Sequence, residues 1–575
     1  KTPVLPSSQI SCGVIMAKDD SSKQVLIPPP VKSFYVTGGL TDESRLYEGC
    51  VNTIVQSIGN SVGVRARPGL NKTNLSATET TGYLPAYGAH FWQANATFYY
   101  VLYISPNYTL LRLPATNLAV DGTSIQTVTG GTYEQRMEFI EYYDGTNQYL
   151  VLLTGTNGYR ISTDHTVTAI SDTDFPNPHI PQAVAKDGYL FLAARNTNFI
   201  YNSAVTDVTS WTATGRIAAE EKGGNIISLQ SHKQSIVAIT DRGIEFFRNA
   251  GIPAPNSPLT RQSEHFKHYM GLVTHTCLQY EDKIWFIGKD LGHGSSWSLC
   301  EISDYQLKEH NNKFIALRSS GGIVIGATSS GGTTGWGSPL YPIRWEGRTF
   351  IVLDSTLIGT TITTYAETSR QPALAYDPEY DTWAAWSYTR ATSGANWTVA
   401  GNYLANGLGC IGSYPNYFQS SSGSYSDSLL IDQFGNNPGT VSRLPVAVLL
   451  QGADVQGFDY TNGSRKVAIR SGFHFPFGLD TSNHKSISRA RAIFLTQPAT
   501  ISADGNMDYR ILIFYDAWAD SGNADLTFGP YDMRFAAIAT RLGLYRNCRI
   551  MLDWDNGDEA PLCLGLQLNY TDHQT

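Results

Sequence analysis

Three pairs of carboxylates are spaced closely enough to suggest acid–base chemistry: Glu220 with Glu221, Asp377 with Glu379, and Asp553 with Asp555. A glycoside hydrolase needs two carboxyl groups that flank the scissile bond, together with groups that bind the sugar. Each pair instead lies in a polar, turn-like phrase, where we expect solvated loop carboxylates. The phrase SADGNMDY at Ser502 comes nearest to a sialidase Asp box, but it lacks the spacing and the tryptophan. We therefore predict no catalytic residues and no enzyme.

Metal and phosphate sites are also disfavoured. His265, His268 and His275 lie close together in sequence, but Glu264 is the one other ligand type at suitable spacing. The phrase DLGHGSS (Asp290–Ser296) has glycines without the Lys and Ser/Thr of a phosphate-binding loop, and it is typical of a hairpin loop. The sequence predicts no metal and no cofactor.

Composition favours strands over helices. The chain has 575 residues, of which 42% are apolar and 16% charged, with 53 Gly and 33 Tyr. The formal net charge of -8 argues against a surface that grips nucleic acid, because phosphate binding depends on Lys and Arg. The seven cysteines have no CxxC pairing, which indicates buried free thiols. No apolar run approaches the roughly 20 residues that span a bilayer, and the start of the chain lacks a signal-peptide layout.

A three-strand unit recurs along the chain: a β-type run, a polar turn, a strongly apolar run, a second turn and a further β-type run. Its clearest copies run from Gln182 to Asn202, from Ile226 to Phe247 and from His275 to Ile302. The middle strands of six copies are marked by Phe98, Tyr149, Tyr189, Ile236, Ile284 and Thr349. Their spacing and their continuous apolar character predict blades whose middle strands are buried on both faces.

We therefore predict an all-β protein, a six-bladed β-propeller at 80–420 with an additional β-sandwich-like module at 421–575. The Pro-rich segment 1–79 is expected to be an extended arm or docking segment. A large β-sandwich, or two of them, is the alternative fold. Aromatic phrases such as YDPEYDTWAAW could bind sugars if exposed, and Trp383 and Trp386 are the residues to inspect; their periodic placement favours core packing.

The stretch 216–302 resembles the tail nozzle, or packaged-DNA stabilisation, proteins of short-tailed phages (podoviruses). The resemblance depends on a Glu-aromatic-aromatic strand, an Asn-Ala-Gly turn, an Arg, a Gly and a strand that contains Trp, Gly and Asp. These positions are Glu245, Phe246, Phe247, Asn249, Gly251, Arg261, Gly271, Trp285, Gly288 and Asp290. RPGL (Arg67, Pro68, Gly69, Leu70), preceded by Cys50 and Asn52, and ATRLGLYRNCRI (Ala539–Ile550) are similar to further family phrases.

This resemblance implies a structural virion subunit that forms a homohexameric ring below the portal and its adaptor. Such a ring extends the DNA ejection channel, helps to retain the packaged DNA, and carries or contacts tailspikes or fibres. Double-stranded DNA would pass through the lumen transiently, without sequence-specific binding, and the subunit would be assembled in the host cytoplasm. The alternative is a receptor-binding or glycan-binding propeller of a phage tail, with or without glycan-cleaving activity.

Overall fold

A computed structural model describes most of the strand-forming parts of the chain. The described residues are 23–32, 35–37, 46–58, 61–67, 70–72, 86–93, 98–104, 109–114, 123–128, 137–265, 270–272, 277–280, 282–290, 297–310, 340–345, 348–353, 373–386, 404–405, 408–413, 446–450, 458–460, 466–468, 470–477, 484–495, 509–515, 535–545, 548–555 and 562–573. Within them the protein is all-β, in several sheets whose strand pairs are antiparallel with one exception, and it has one 3₁₀ turn at Ser263–His265. No helix in this part of the chain is long and apolar enough to cross a membrane.

Six consecutive antiparallel meanders occupy the middle of the chain. In order, they are β7 (Ala86–Gln93), β8 (Phe98–Ile104), β9 (Thr109–Pro114) and β10 (Thr123–Thr127); β11 (Glu138–Tyr143), β12 (Gln148–Leu153), β13 (Gly158–Ser162) and β14 (Val167–Ala169); β15 (His179–Lys186), β16 (Tyr189–Ala194), β17 (Phe199–Ala204) and β18 (Asp207–Ala218); β19 (Ile226–His232), β20 (Ser235–Thr240), β21 (Ile244–Asn249) and β22 (Leu259–Arg261); β23 (Met270–Leu272), β24 (Leu278–Tyr280), β25 (Lys283–Asp290), β26 (Trp297–Ser303) and β27 (Gln306–Glu309); and β28 (Leu340–Trp345), β29 (Arg348–Leu353), β30 (Ala373–Asp377) and β31 (Thr382–Trp386). Each of the six marker residues lies on the second strand of its sheet, as predicted.

The remaining strands lie at the two ends of the chain. They are β1 (Lys23–Ile27), β2 (Tyr35–Thr37), β3 (Leu46–Val51), β4 (Thr53–Ile58), β5 (Ser61–Ala66) and β6 (Leu70–Lys72), and then β32 (Leu404–Ala405), β33 (Leu408–Ser413), β34 (Val446–Leu450), β35 (Phe458–Tyr460), β36 (Lys466–Ala468), β37 (Arg470–Phe477), β38 (His484–Leu495), β39 (Tyr509–Tyr515), β40 (Phe535–Tyr545), β41 (Cys548–Asp555) and β42 (Leu562–His573).

The core is layered between the faces of consecutive meanders. Side chains alternate along a strand, so β12 directs Leu150 and Leu152 into a cluster shared with the first meander, and Val151 and Leu153 into one shared with the third. Two further clusters join the third meander to the fourth and the fourth to the fifth. All six residues of β20 are buried, which confirms that the continuous apolar runs lie between two neighbouring sheets.

Strands near the start of neighbouring meanders contact one another. Contacts join β7 to β11, β11 to β15, β15 to β19, β19 to β24 and β24 to β28, so the contacting strand of the fifth meander is β24, its second in chain order. The series continues beyond the sixth meander, because β28 contacts β32 and β33. These two strands belong to a four-stranded sheet in the order β32-β33-β34-β6.

The N-terminal segment, predicted as an extended arm or docking segment, contains strands that pair with strands far along the chain. Strand β1 pairs with β42 along its whole length, and β4 and β5 continue into the sheet of β42, β38 and β40. Strand β6 closes a sheet that also contains β34, so strands from both sides of 79/80 and of 420/421 share one sheet. The partners are hundreds of residues apart, and the local pattern of the segment cannot reveal them. The boundaries of the domains stay predictions.

A second large sheet connects the sixth meander to the C-terminal strands. Strand β3 pairs in parallel with the outer strand β31 and antiparallel with β37, and the sheet continues through β41 to β39. It faces the sheet of β38 through Phe494 and Trp554, whose ring centroids lie 5.4 Å apart. Between β3 and β4 the chain passes from one sheet to the other at Asn52, which has a φ of 53°.

Candidate functional site

The corner at Asn52 brings together two phrases that the sequence analysis singles out. Arg67 is fully buried, and its Nε donates to Asn52 Oδ1 at 3.1 Å. The Asn52 carbonyl oxygen accepts the Arg67 backbone N–H and the hydroxyl of Ser471, each at 2.9 Å. Asn tolerates a left-handed backbone better than most residues, because its short side chain bonds locally. This cluster fixes the place where the chain changes sheets; Pro68 and Gly69 lie outside the described residues.

Arg261 and Glu245 form a second cluster from the predicted positions. Arg261 Nε lies 3.0 Å from Glu245 Oε2, and Arg261 Nη2 donates to the Ala218 carbonyl at 2.9 Å. Glu245 is buried and also accepts the Glu221 backbone N–H at 2.9 Å. Burial raises the pKa of Glu245, although the Glu221 amide and Arg261 favour its charged form. The cluster anchors the connection from β18 to β19 onto β21 and β22.

The carboxylates of Glu220 and Glu221 belong to this same cluster. They lie 3.8 and 3.9 Å from Arg261 nitrogens and are 67% and 42% exposed, as expected of solvated loop residues. Both are therefore neighbours of a guanidinium that already pairs with Glu245. This arrangement neutralises negative charge and holds a loop.

The expectation that the second carboxylate pair is solvated is wrong for Asp377. It is buried, not solvated: Arg348 Nη2 binds its Oδ2, and its Oδ1 accepts the Glu379 backbone N–H at 3.0 Å. Arg348 Nη1 also donates to the Val55 carbonyl of β4 at 2.5 Å. The polar letters around Asp377 suggested a solvated turn, but Arg348 supplies a buried counter-charge from the neighbouring strand. The side chains of Asp553 and Asp555, and the Ser502 phrase, lie outside the described residues.

A hydrogen-bonded chain connects the fifth and sixth meanders. Glu301 on β26 binds Lys283 Nζ at 2.8 Å and His310 Nε2 at 2.5 Å. His310 Nδ1 lies 2.8 Å from the Tyr376 hydroxyl, which donates to Asp381 Oδ1 at 3.0 Å. The side chains of Glu301 and His310 are both about one-twentieth exposed or less, so these bonds are shielded from solvent.

Opposing effects set the protonation of this chain. Burial acts to raise the pKa of Glu301, but hydrogen bonds and charge from His310 and Lys283 outweigh it and lower the pKa to about 2. Burial, together with the bond to Asp381, raises the pKa of Tyr376 far above its usual range. Glu301 is therefore ionised, and Tyr376 keeps its proton, across the physiological pH range.

A further buried histidine lies between the second and third meanders. His179 Nε2 accepts the Gly155 backbone N–H at 3.1 Å, and Nδ1 bonds to the Pro176 carbonyl at 2.9 Å. These partners require the neutral ring with its proton on Nδ1. Burial lowers the pKa of His179 from its usual 6.5 to about 4.

The histidines that sequence proximity suggested as metal ligands do not form a described site. His265 stacks on Tyr305 with ring centroids 4.1 Å apart, and Glu264 is exposed. His268 and His275 lie outside the described residues. No group of three or more His, Cys, Asp or Glu within the described part of the chain has a geometry that could hold a metal ion.

The tryptophans selected as possible sugar platforms are buried. Trp383 and Trp386 are 3% and 1% exposed, and they pack on Tyr376 and Phe350 respectively. Trp386 Nε1 donates to the Thr53 carbonyl at 3.0 Å, and the Trp383 backbone N–H donates to the Val31 carbonyl at 2.7 Å. Trp386 thus holds β4, and Trp383 the turn after β1, against the sixth meander.

The remaining positions of the resemblance lie on the fourth and fifth meanders. Phe246 and Phe247 are fully buried on β21, Asn249 ends that strand, and its Oδ1 accepts the N–H of Gly251, which has a φ of 66°. Gly271 lies on β23, paired with β25, where Trp285, Gly288 and Asp290 lie; Gly288 pairs with Leu272 and Asp290 with Met270. The phrase DLGHGSS begins at Asp290, the last residue of β25, and its other residues, 291–296, lie outside the described residues. The cysteines whose side chains are described, Cys50, Cys277, Cys300 and Cys563, are buried.

Sequence reasoning missed His310, Tyr376 and Arg348 as parts of polar clusters. Tyr376 lies in the noted phrase YDPEYDTW together with its acceptor Asp381, but its other partner, His310, follows the last strand of the fifth meander. No local motif marks such contacts.

No protein-family model matches this sequence, and no curated protein does. Solved structures similar to it include a streptogramin B lyase (9% identity, 60% of this chain and 94% of that chain covered, TM-score 0.36). Another is the N-terminal domain of Nup159, with 10% identity, 62% of this chain and 94% of that chain covered, and a TM-score of 0.33. A third is an exo-beta-1,3-galactanase from Phanerochaete chrysosporium, with 9% identity, 87% of this chain and 100% of that chain covered, and a TM-score of 0.25. At these TM-scores the likenesses carry no argument about function.

Proposed function

We propose that this chain is a structural subunit of the tail nozzle ring of a short-tailed phage, and not an enzyme. In this role it extends the DNA ejection channel, helps to retain packaged DNA, and docks to the adaptor and to fibres or tailspikes. The observation that carries the proposal is that the polar residues at the positions of the family resemblance bond to other residues of the fold. Arg67 binds Asn52 and Arg261 binds Glu245, so both guanidinium groups stabilise the scaffold.

The six meanders, in this proposal, are propeller blades. Strands near the start of neighbouring meanders contact one another in sequence, and apolar clusters fill the spaces between their faces, as blades packed around an axis require. The sheet of β32, β33, β34 and β6 takes the next position of the series, with an N-terminal strand as its outer member. The sandwich-like module, in this proposal, consists of the sheet of β38 and of the strands β37, β41 and β39, whose sheet continues through β3 into the sixth blade.

A ring of copies suits such a subunit. Rigid wedges repeat a heterologous contact until the rotation closes, and the family resemblance sets the number of copies at six. The net charge of -8 fits a conduit, because a lumen with few cations gives DNA little grip.

The test uses DNA-filled capsids that carry the adaptor but lack a nozzle. Adding the purified chain is expected to place a ring on the adaptor in negative-stain images and to make the packaged DNA resistant to nuclease. A chain that ignores the adaptor but binds or cleaves surface glycans would instead support the receptor-binding alternative.

A further inference from the structure

The proton count of the chain from Glu301 to Asp381 determines the charge of His310. A tyrosine hydroxyl carries one hydrogen, and Tyr376 donates it to Asp381. His310 Nδ1 must therefore carry a hydrogen of its own to bond to the Tyr376 oxygen. The ionised Glu301 carboxylate can only accept, so His310 Nε2 carries a hydrogen as well. With Tyr376 as the donor to Asp381, these heavy-atom positions correspond to an imidazolium at His310.

A second arrangement of the same groups is available to neutral His310. Loss of the Nδ1 proton to solvent leaves a lone pair at that nitrogen, which accepts the Tyr376 hydrogen after a rotation of the hydroxyl. The bond from His310 Nε2 to Glu301 is kept. Asp381 then loses its hydrogen bond, because Tyr376 has no second hydrogen to give.

Asp381 occupies a turn that is sensitive to such a loss. It has a φ of 52°, in the left-handed region that non-glycine residues adopt at a cost. Its neighbour Tyr380 packs on the Arg348 guanidinium at 4.5 Å, and the Tyr380 hydroxyl lies 3.4 Å from Ser57 Oγ on β4. The turn thus connects the sixth meander to an N-terminal strand.

The charged groups around His310 come from both meanders. Glu301 and Lys283 face it from the fifth, and Asp381 and the more distant Asp377 lie on the sixth. Glu309, next to it in sequence, accepts a hydrogen bond from Ser298 instead. The imidazolium therefore lies between two carboxylates, Glu301 directly and Asp381 through Tyr376, with Lys283 already paired to Glu301.

We propose that His310 is a pH-sensitive switch that holds the 378–381 turn when protonated and releases it when neutral. Tyr376 transmits the change by exchanging its acceptor between Asp381 and His310 Nδ1. Contact between the turn and β4 weakens as pH rises, so the junction between the sixth meander and the N-terminal strands is tighter in acid than in mild base.

The test is hydrogen–deuterium exchange of the full-length chain between about pH 5 and about pH 9, corrected for the intrinsic pH dependence of exchange. The protection of the Glu379, Tyr380 and Asp381 amides is expected to fall about tenfold as pH rises, since the lost bond involves a charged acceptor. His310→Gln, which has one donor and one acceptor, should show the low protection at every pH. His90→Gln, which alters a different histidine–carboxylate pair (His90 with Glu141), should keep the wild-type response.

Asp381→Asn provides a second variant that alters an exposed residue and keeps an amino acid suited to a left-handed turn. The asparagine oxygen is a neutral acceptor, which binds the Tyr376 hydrogen less strongly than a carboxylate does, so the fall in protection with pH should be smaller than in the wild type. Constant protection of the turn across the pH range in the wild type, or an unchanged transition in His310→Gln or Asp381→Asn, would overturn the proposal.

Discussion

Buried polar side chains in this protein determine local geometry. Asn52 combines a left-handed backbone with bonds to Arg67 and Ser471, so it sets both the direction of the chain and the contact between two sheets. His179 performs a similar task between the second and third meanders, where its two ring nitrogens bond to backbone groups. Removing such a residue leaves a buried partner unsatisfied, and the cost exceeds that of the bond itself.

Asn52→Ala is expected to lower the free energy of unfolding by about 2–4 kcal/mol, because it removes a partner of buried Arg67 and strains the backbone. Asn52→Gly should recover the backbone part of the loss and retain the part due to the amide. Urea unfolding of the three proteins measures both parts. A loss of less than about 0.5 kcal/mol in Asn52→Ala would show that the corner does not depend on this residue.

His179 should make the protein less stable in mild acid. The folded pKa is lowered to about 4, so between pH 6.5 and 4 the unfolded chain binds a proton that the folded chain does not. The contribution to the loss of unfolding free energy over this interval is about 3 kcal/mol. This loss of unfolding free energy is absent at pH values above the pKa of the histidine in the unfolded chain.

His179→Gln retains a donor and an acceptor but does not titrate, so its unfolding free energy should decline less steeply over the same interval. His90→Gln should retain the full decline due to His179. Equal pH dependence in wild type and His179→Gln would contradict the assignment of a neutral, buried ring.

The sequence identified single residues better than their partners. Arg67 and Asn52 were selected from separate phrases, but their contact depends on a corner that no local pattern shows. Asp377 was expected to be solvated because polar residues surround it in sequence, whereas Arg348 covers it in the fold. His310 gave no signal at all, because its partners come from the fifth and sixth meanders.

At the scale of elements, strands paired through short turns could be predicted and distant pairings could not. The apolar runs around Tyr189 and Ile236 are second strands of meanders. They could be predicted because the apolar residues and the flanking turn residues that define such a strand lie within a few positions of one another. The parallel pairing of β3 with β31 and the union of β6 with β34 join segments more than 300 residues apart. Only the pairing of complete sheets decides such contacts.

The junction at β31 offers a matched pair of tryptophans. Trp386 Nε1 donates to Thr53 across the junction, whereas Trp211 Nε1 donates to Val208 within the third meander. Both indoles are buried, so replacement by Phe leaves a similar void in each case and costs about 1 kcal/mol in the lost bond. In Trp386→Phe, hydrogen exchange should accelerate in β4; in Trp211→Phe it should accelerate in β18 and leave β4 unchanged. Identical exchange maps would refute a specific role for Trp386 at this junction.

At the scale of the whole molecule, rigidity arises from repetition. Among the described residues, the middle strands β12, β16 and β20 each contribute to two cores, so the meanders on either side of them cannot separate without exposing apolar surface. The sheet that begins at β28 extends this rigid body into the N-terminal and C-terminal strands. A body of this kind suits a ring whose subunits must keep their shape while DNA passes.

The most direct test of this account is the mass of the purified full-length chain in solution, measured over a range of concentrations, alone and with the isolated adaptor. We predict a closed ring of six copies, formed alone or on the adaptor. A chain that remains monomeric under both conditions would contradict the nozzle-ring proposal.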